Sequence, residues 1–258
     1  MPLRSSEVRA ISKRLLADYD AVNPENIFSE GFRVNLDDAW RIQAAVAEMR
    51  EARGERVIGY KVGAVVPGNQ QLMGLPHPVW GRLWDSELYC SGVTLDRKKY
   101  NNLSIEAEFG ALLSGDIRPG ASIEKIAASV EAIYPTLELH NLAMQSEKPH
   151  GPELVATNCI NCGVVRGQPV TDLAAGRETD LKLFYDGMVV DEWAALSWPA
   201  DILGAIVWLS RLLAEQHISL RGGDFILTSA WGPPIPVGAH TQVEVTSSEF
   251  GSVQATID

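Results

Sequence analysis

Residues 104–113 read Ser-Ile-Glu-Ala-Glu-Phe-Gly-Ala-Leu-Leu, an apolar run that carries two carboxylates, Glu106 and Glu108, two positions apart. Side chains on a β-strand alternate between faces, so both acids project from one face and require a compensating cation. A third acid, Glu138, lies in a second apolar run, Tyr134-Pro-Thr-Leu-Glu-Leu-His140, where a lone charge is costly unless paired or metal-bound. Three carboxylates without a set of thiolates suit a hard, oxygen-preferring ion, Mg²⁺ or Mn²⁺. The same spacing also fits a solvent-facing edge strand with ordinary surface glutamates. His140 follows Glu138 by two residues and on a strand would share its face, which sets an imidazole beside the acids. The competing reading ends the strand at Leu139 and leaves His140 in an exposed loop. Lys61 stands between glycines in Gly59-Tyr-Lys-Val-Gly63. There desolvation or a nearby ion would change its proton affinity, unless it snorkels from a strand end.

The remaining candidates are weaker. Cys159-Ile-Asn-Cys162 has the spacing of a redox pair or half a zinc site, but the chain holds only three cysteines and no second half-site. Two free, partly buried thiols are the simpler reading. The histidines at 77, 140, 150, 217 and 240 have no metal-ligand spacing among themselves. No dinucleotide fingerprint, Walker loop, serine nucleophile elbow or zincin motif occurs in the sequence, so those chemistries have no support.

The elements that must position these residues follow from periodicity. Val8, Ile11 and Leu15 share a helical face, as do Ala39, Ile42, Val46 and Met49 after a candidate cap at Asn35. Beyond Gly54 the β-branched residues, glycines and prolines increase, which predicts an N-terminal helical segment over 1–54 and a β-rich catalytic domain over 55–258. Strands are expected over residues 57–62, 104–113, 136–140, 181–185, 188–193, 225–228, 242–246 and 251–257, with Asp186-Gly187 as a tight hairpin. Helices are expected over 122–133 and along the face of Ile202, Ile206, Leu209 and Leu213. The order predicts an α+β fold: a small helical layer on a mixed, largely antiparallel β core.

Composition narrows the partners. The 258 residues carry 22 Lys plus Arg against 33 Asp plus Glu, a formal charge of −11, which repels phosphate backbones and anionic membrane surfaces. The most apolar stretch, residues 202–209, is broken by Ser210 and Arg211, short of the roughly 20 residues that span a bilayer. Residues 1–20 lack an apolar signal core, and the odd, small cysteine count suits a reducing compartment, so a cytoplasmic protein is expected.

In order, Gly59-Tyr-Lys-Val-Gly63, Gln71-Leu-Met-Gly-Leu75, Pro78-Val-Trp-Gly-Arg-Leu83, Ile105-Glu-Ala-Glu108, Pro135-Thr-Leu-Glu138 and Val155-Ala-Thr-Asn158 follow one another along the chain. Trp208-Leu-Ser-Arg-Leu-Leu-Ala214 and Gly223-Asp-Phe-Ile-Leu-Thr228 close the series. Together these segments resemble the hydratase/decarboxylase branch of the fumarylacetoacetate hydrolase superfamily. The resemblance implies that family's C-terminal-domain type of fold, a divalent ion on Glu106, Glu108 and Glu138, and an active-site lysine at Lys61. It also implies substrate-facing positions at Leu72, Val79 and Ile160, a small 2-oxo acid as substrate, and a homo-oligomer. Such enzymes hold a 2-oxo acid or 2-hydroxydienoate on Mg²⁺, which stabilises the enolate.

Two departures bear on the reaction. Val79 stands where hydratases of this group carry an aspartate, and Thr157-Asn-Cys-Ile160 stands where the family has Asp-Asn-Ala-Ser. Both positions that handle protons are therefore apolar, and His140 or His77 would have to substitute. The expected activity is a metal-dependent lyase of aromatic-compound breakdown, with hydratase taken first and a 4-oxalocrotonate-type decarboxylase as the alternative that Val79 favours. Further alternatives are an acylpyruvate C–C hydrolase and a non-catalytic homologue that binds metal or a 2-oxo acid.

Overall fold

The computed structural model describes residues 2–23, 27–141 and 150–258. In chain order its elements are α1 (Ser5–Asp20), α2 (Leu36–Ala52), β1 (Val57–Gly63), α3 (Pro67–Met73), β2 (Val79–Trp84), β3 (Leu88–Cys90), β4 (Val93–Leu95), β5 (Ser104–Leu113), α4 (Ile123–Ala127) and β6 (Val130–His140). Then come α5 (Gly151–Ala156), β7 (Asn161–Arg166), β8 (Arg177–Tyr185), β9 (Met188–Trp198), α6 (Ala200–Glu215), β10 (Phe225–Leu227), β11 (Ile235–Pro236), β12 (Gln242–Ser247) and β13 (Gly251–Ile257).

The strands form two sheets. The larger runs β2-β1-β10-β5-β6-β7-β3, with β11 alongside β5, and the smaller runs β4-β13-β12-β8-β9. Antiparallel pairs predominate, and β1–β10, β3–β7 and β4–β13 are parallel. This is the mixed, largely antiparallel α+β core expected from the sequence. The principal core lies between the sheets, where Ile105, Phe109 and Leu137 of the larger meet Val243, Val245 and Val253 of the smaller, with α6 packed at one side. The opposite face of β5 and β6 carries the acids.

Helices α1 and α2 bury Val8, Ile11, Leu15, Ala39 and Ile42 in a second cluster with Val79, Val155 and Cys159. The Asn35 side chain accepts the Asp38 amide at 2.8 Å and caps α2, which satisfies one of the helix's unpaired N–H groups. At its other end, buried Arg50 lies over the Trp84 ring and bonds Glu87 at 2.7 Å, so the helical layer is anchored beside β2.

The helix expected over 122–133 is shorter. It ends at Ala127, and from Val130 the chain joins β6, with Ile133 opposite Ala111 and Ala132 opposite Leu112. Ladder pairing and burial of β-branched side chains outweigh the local helical pattern there. Strands β2, β3, β4, β7 and β11 carry no independent local signal, because short apolar runs are ambiguous without their partners.

Asp186 and Gly187 both adopt positive φ, 48° and 80°, and close the β8–β9 hairpin with Tyr185 opposite Met188, as the Asp-Gly dipeptide predicts. The Asp186 carboxylate accepts the Gln242 and Thr241 amides and the His240 ring, and these hold its pKa down at about 2. A depressed carboxylate pKa contributes stability above the unfolded value, near 4, and loses it as pH falls toward 2. Asn tolerates the turn geometry, so Asp186→Asn isolates the charge. The difference in melting temperature between wild type and Asp186→Asn is expected to be largest above pH 5 and to shrink between pH 4 and pH 2. A constant difference across that window would rule out the carboxylate as its cause.

Candidate metal centre

In the β5–β6 ladder Glu106 is paired with Glu138, Ser104 with His140, and Glu108 with Thr136. Opposed residues of an antiparallel pair share a face. The register therefore gathers Glu106, Glu108, Glu138 and His140 on one surface. Lys61 enters from β1, separated from β5 by β10, and its Nζ lies 3.0 Å from Glu138 Oε1. A flat sheet would not allow that reach. The sheet twists and curls until the turn before β7 bonds to β2: Asn158 accepts the Arg82 amide at 2.8 Å and donates to the Arg82 carbonyl at 2.9 Å. Gly81 permits this approach, since a Cβ there would stand 2.8 Å from the Asn158 carbonyl oxygen.

The site is buried and acidic. Glu108 and Glu138 are 0% exposed and Lys61 3%. His140 Nε2 lies 2.8 Å from Glu106 Oε2 and 3.5 Å from Glu138 Oε2. The exposed-loop reading of His140 does not apply: it is the last residue of β6 and buried. Glu108 accepts the Ser229 amide at 3.0 Å through Oε2. Burial, then the neighbouring Glu138 charge, pushes the Glu108 pKa well up. For Glu138 burial acts upward, but Lys61, His140 and Asn161 together bring the pKa below the ordinary carboxylate value. For Lys61 burial acts downward and the Glu138 and Glu106 charges outweigh it, so the ammonium is held protonated.

These donors fit a divalent ion. Three carboxylates and one ammonium sum to −2, the charge such an ion would balance. Among buried polar atoms, Glu138 Oε2, Glu108 Oε1 and His140 Nδ1 have no hydrogen-bond partner, a costly state for a folded protein to retain without a ligand. Ligand atoms of Glu106, Glu138 and His140 all lie within 4.8 Å of one another. An oxygen-rich set with one imidazole suits Mg²⁺ or Mn²⁺ better than a thiophilic metal.

The other sequence candidates separate. Val79 is fully buried, and the point where a Gly63 Cβ would stand is within 4 Å of both a Val79 methyl and Lys61 Nζ. Ile160 is half-buried in the turn Asn158–Ile160. Leu72 projects from α3 with 65% of its surface exposed and is not brought to the acids. His77 donates from Nδ1 to the Pro78 carbonyl and lies against Trp208. The two cysteines of Cys159-Ile-Asn-Cys162 belong to different clusters, Cys159 with the helices and Cys162 with the inter-sheet core, and both are free. Burial pushes the Cys159 thiol up to about 12, so it is inert as a nucleophile. Two contributors escaped the sequence reading, Asn161 and the Ser229 amide. Asn161 lies inside a motif whose signal comes from its cysteines, and a backbone donor has no residue-type signal.

No family model matches the chain. Its fold matches that of 4-oxalocrotonate decarboxylase from Pseudomonas putida G7 complexed with magnesium and adipate, with a TM-score of 0.89 and 23% identity over 99% of both chains. In sequence it is 27% identical to a 4-oxalocrotonate decarboxylase of Pseudomonas sp. (strain CF600) over 262 residues, 98% of this chain and 97% of that one. It is also 27% identical to a 2-keto-4-pentenoate hydratase of Paraburkholderia xenovorans (strain LB400) over 232 residues, 87% of this chain and 85% of that one. In fold and in sequence the chain is similar to the hydratase/decarboxylase branch of the fumarylacetoacetate hydrolase superfamily. Among the described residues no helix is long and apolar enough to cross a membrane.

Proposed function

We propose that the chain is a divalent-metal-dependent lyase for a small 2-oxo-enoate or 2-hydroxydienoate, with decarboxylation favoured over hydration. The observation that carries the metal-dependent reading is the convergence of Glu106, Glu138, Glu108 and His140, with Lys61 on Glu138, in one buried acidic surface. Bound Mg²⁺ or Mn²⁺ would supply Lewis-acid stabilisation of enolate charge. Lys61 adds a fixed cation within a low-dielectric site, where it acts on developing negative charge more strongly than in water. In this reading His140, whose Nε2 lies 2.8 Å from Glu106 Oε2, carries a proton and the ion sits on the three carboxylates.

The preference between the two reactions rests on Val79. Water addition needs a positioned group to take a proton from water, and beside Lys61 stands a fully buried aliphatic side chain. Loss of CO₂ requires stabilisation of the enolate and one later protonation, which Lys61 and His140 can supply. A cavity of about 340 Å³ lined by Val65, Pro78, Trp208, Thr228, Ser229 and Trp231 borders the Glu108 end through Ser229 and gives room for a small acid.

With Mg²⁺ present, 2-oxo-3-hexenedioate is expected to release CO₂ at least about tenfold faster than 2-hydroxypenta-2,4-dienoate is hydrated. Product analysis by chromatography with a coupled CO₂ assay decides. Rapid hydration without CO₂ release would return the assignment to hydratase.

A further inference from the structure

Strand β7 follows β6 in regular register from Arg166 to Gly163, opposite Thr136 to Leu139, and then skips a residue: His140 pairs with Asn161 rather than Cys162. Without that bulge the alternation of a strand would aim Cys162 at the acids and Asn161 at the inter-sheet core. With it, Cys162 enters the core cluster and Asn161 turns toward the metal centre. The bulge is fed by an unusual turn. Asn158, Cys159 and Ile160 have φ of 55°, 54° and 56°, a conformation that costs roughly 1–2 kcal/mol per non-glycine residue and is an outlier for β-branched Ile160. Strain of this kind persists only where surrounding structure holds it, and here Asn158 is held on both backbone groups of Arg82.

The product of this arrangement is one hydrogen bond. Asn161, 2% exposed, donates from Nδ2 to Glu138 Oε1 at 2.8 Å. Lys61 Nζ reaches the same oxygen at 3.0 Å. Both donors take Oε1, and Oε2 is left without a hydrogen-bond partner on the side of His140 and Glu106.

We propose that Asn161 is a positioning residue of the metal centre: by holding Glu138 Oε1 together with Lys61, it fixes the carboxylate so that Oε2 faces the ion. The proposal rests on the metal-centre reading above. Outer-shell donors that orient a ligand typically contribute 10–100-fold to metal affinity. Asn161 contributes this through Glu138, without contact to substrate. It also explains why the chain spends a strained turn and a bulge on bringing an amide, rather than Cys162, to this point.

Asn161→Leu keeps the branching at Cγ and removes the donor. By calorimetric titration its Mn²⁺ affinity is expected to fall 10–100-fold, with a changed zero-field splitting in the Mn²⁺ electron paramagnetic resonance spectrum. Far-ultraviolet circular dichroism is expected to stay native. Asn161→Ala carries the same expectation and decides the matter if the leucine variant does not fold. Wild-type affinity and spectrum in the variant would overturn the proposal while leaving the metal centre intact. Absence of Mn²⁺ binding by the wild type, or binding indifferent to Glu138→Gln, would overturn the metal centre and the proposal together.

Discussion

Replacing Glu106 and Glu138 together by glutamine is expected to abolish Mn²⁺ binding and lower turnover at least about 10³-fold, on the scale of removing a principal electrostatic stabiliser. The two residues face each other across the β5–β6 ladder, and no other described acid can replace both. Binding to the native state stabilises by RT ln(1 + [L]/Kd), about 2.7 kcal/mol at a hundredfold excess over Kd. For a chain of this size that raises the melting temperature by about 5–10 °C. The wild type should show this shift with Mg²⁺ or Mn²⁺ and the double variant none. Without metal, relief of repulsion between the acids is opposed by loss of the buried Lys61–Glu138 pair, so the metal-induced shift and not the metal-free melting temperature is the readout. Single variants identify the third ligand. If Glu108 binds the ion, Glu108→Gln weakens Mn²⁺ more than His140→Gln; the 4.8 Å grouping of Glu106, Glu138 and His140 predicts the opposite if the imidazole binds. An unchanged affinity in the double variant would place the metal elsewhere.

The second large effect is expected at Lys61. Lys61→Met should reduce kcat about 10²–10³-fold, the usual consequence of deleting a preorganised donor at developing negative charge. It should also destabilise the metal-free protein by about 3–5 kcal/mol, because removing one partner of a buried ion pair strands the other. That partner is Glu138, fully buried beside Glu108. Added Mg²⁺ supplies a replacement charge and should recover much of the lost stability without recovering turnover. Denaturant unfolding with and without Mg²⁺, beside steady-state kinetics, separates the two roles. Full activity in Lys61→Met would remove Lys61 from the chemistry, and unchanged metal-free stability would mean that Glu138 is not ionised in that state.

Much of the site was legible in the one-dimensional pattern, and the reason is geometric. Glu106 and Glu108 share a face by strand alternation, and Glu138 with His140 by the same rule, so each half of the cluster is local in sequence. The helices of the N-terminal layer, the Asn35 cap and the Asp186-Gly187 hairpin are local signals as well, decided by periodicity, side-chain capping and positive φ. What joined the halves is not local. The pairing of Glu106 with Glu138 is a register, and register depends on which faces the whole sheet buries. Lys61 reaches Glu138 because the sheet curls until the turn at Asn158 meets β2, a consequence of twist accumulated over several strands. Helix 122–133 became half strand because β5 offered Val130 and Ile133 a partner. Asn161 was invisible for the sharpest reason: a single-residue bulge exchanged its face with that of Cys162, and no residue type announces a bulge. Residue types and their spacing set which chemistry the chain can carry, since carboxylates, a lysine and an imidazole in apolar strands must be compensated wherever they lie. The tertiary structure alone decided which atoms meet, because contacts between strands far apart in the chain are set by packing the entire sheet and not by any segment of it.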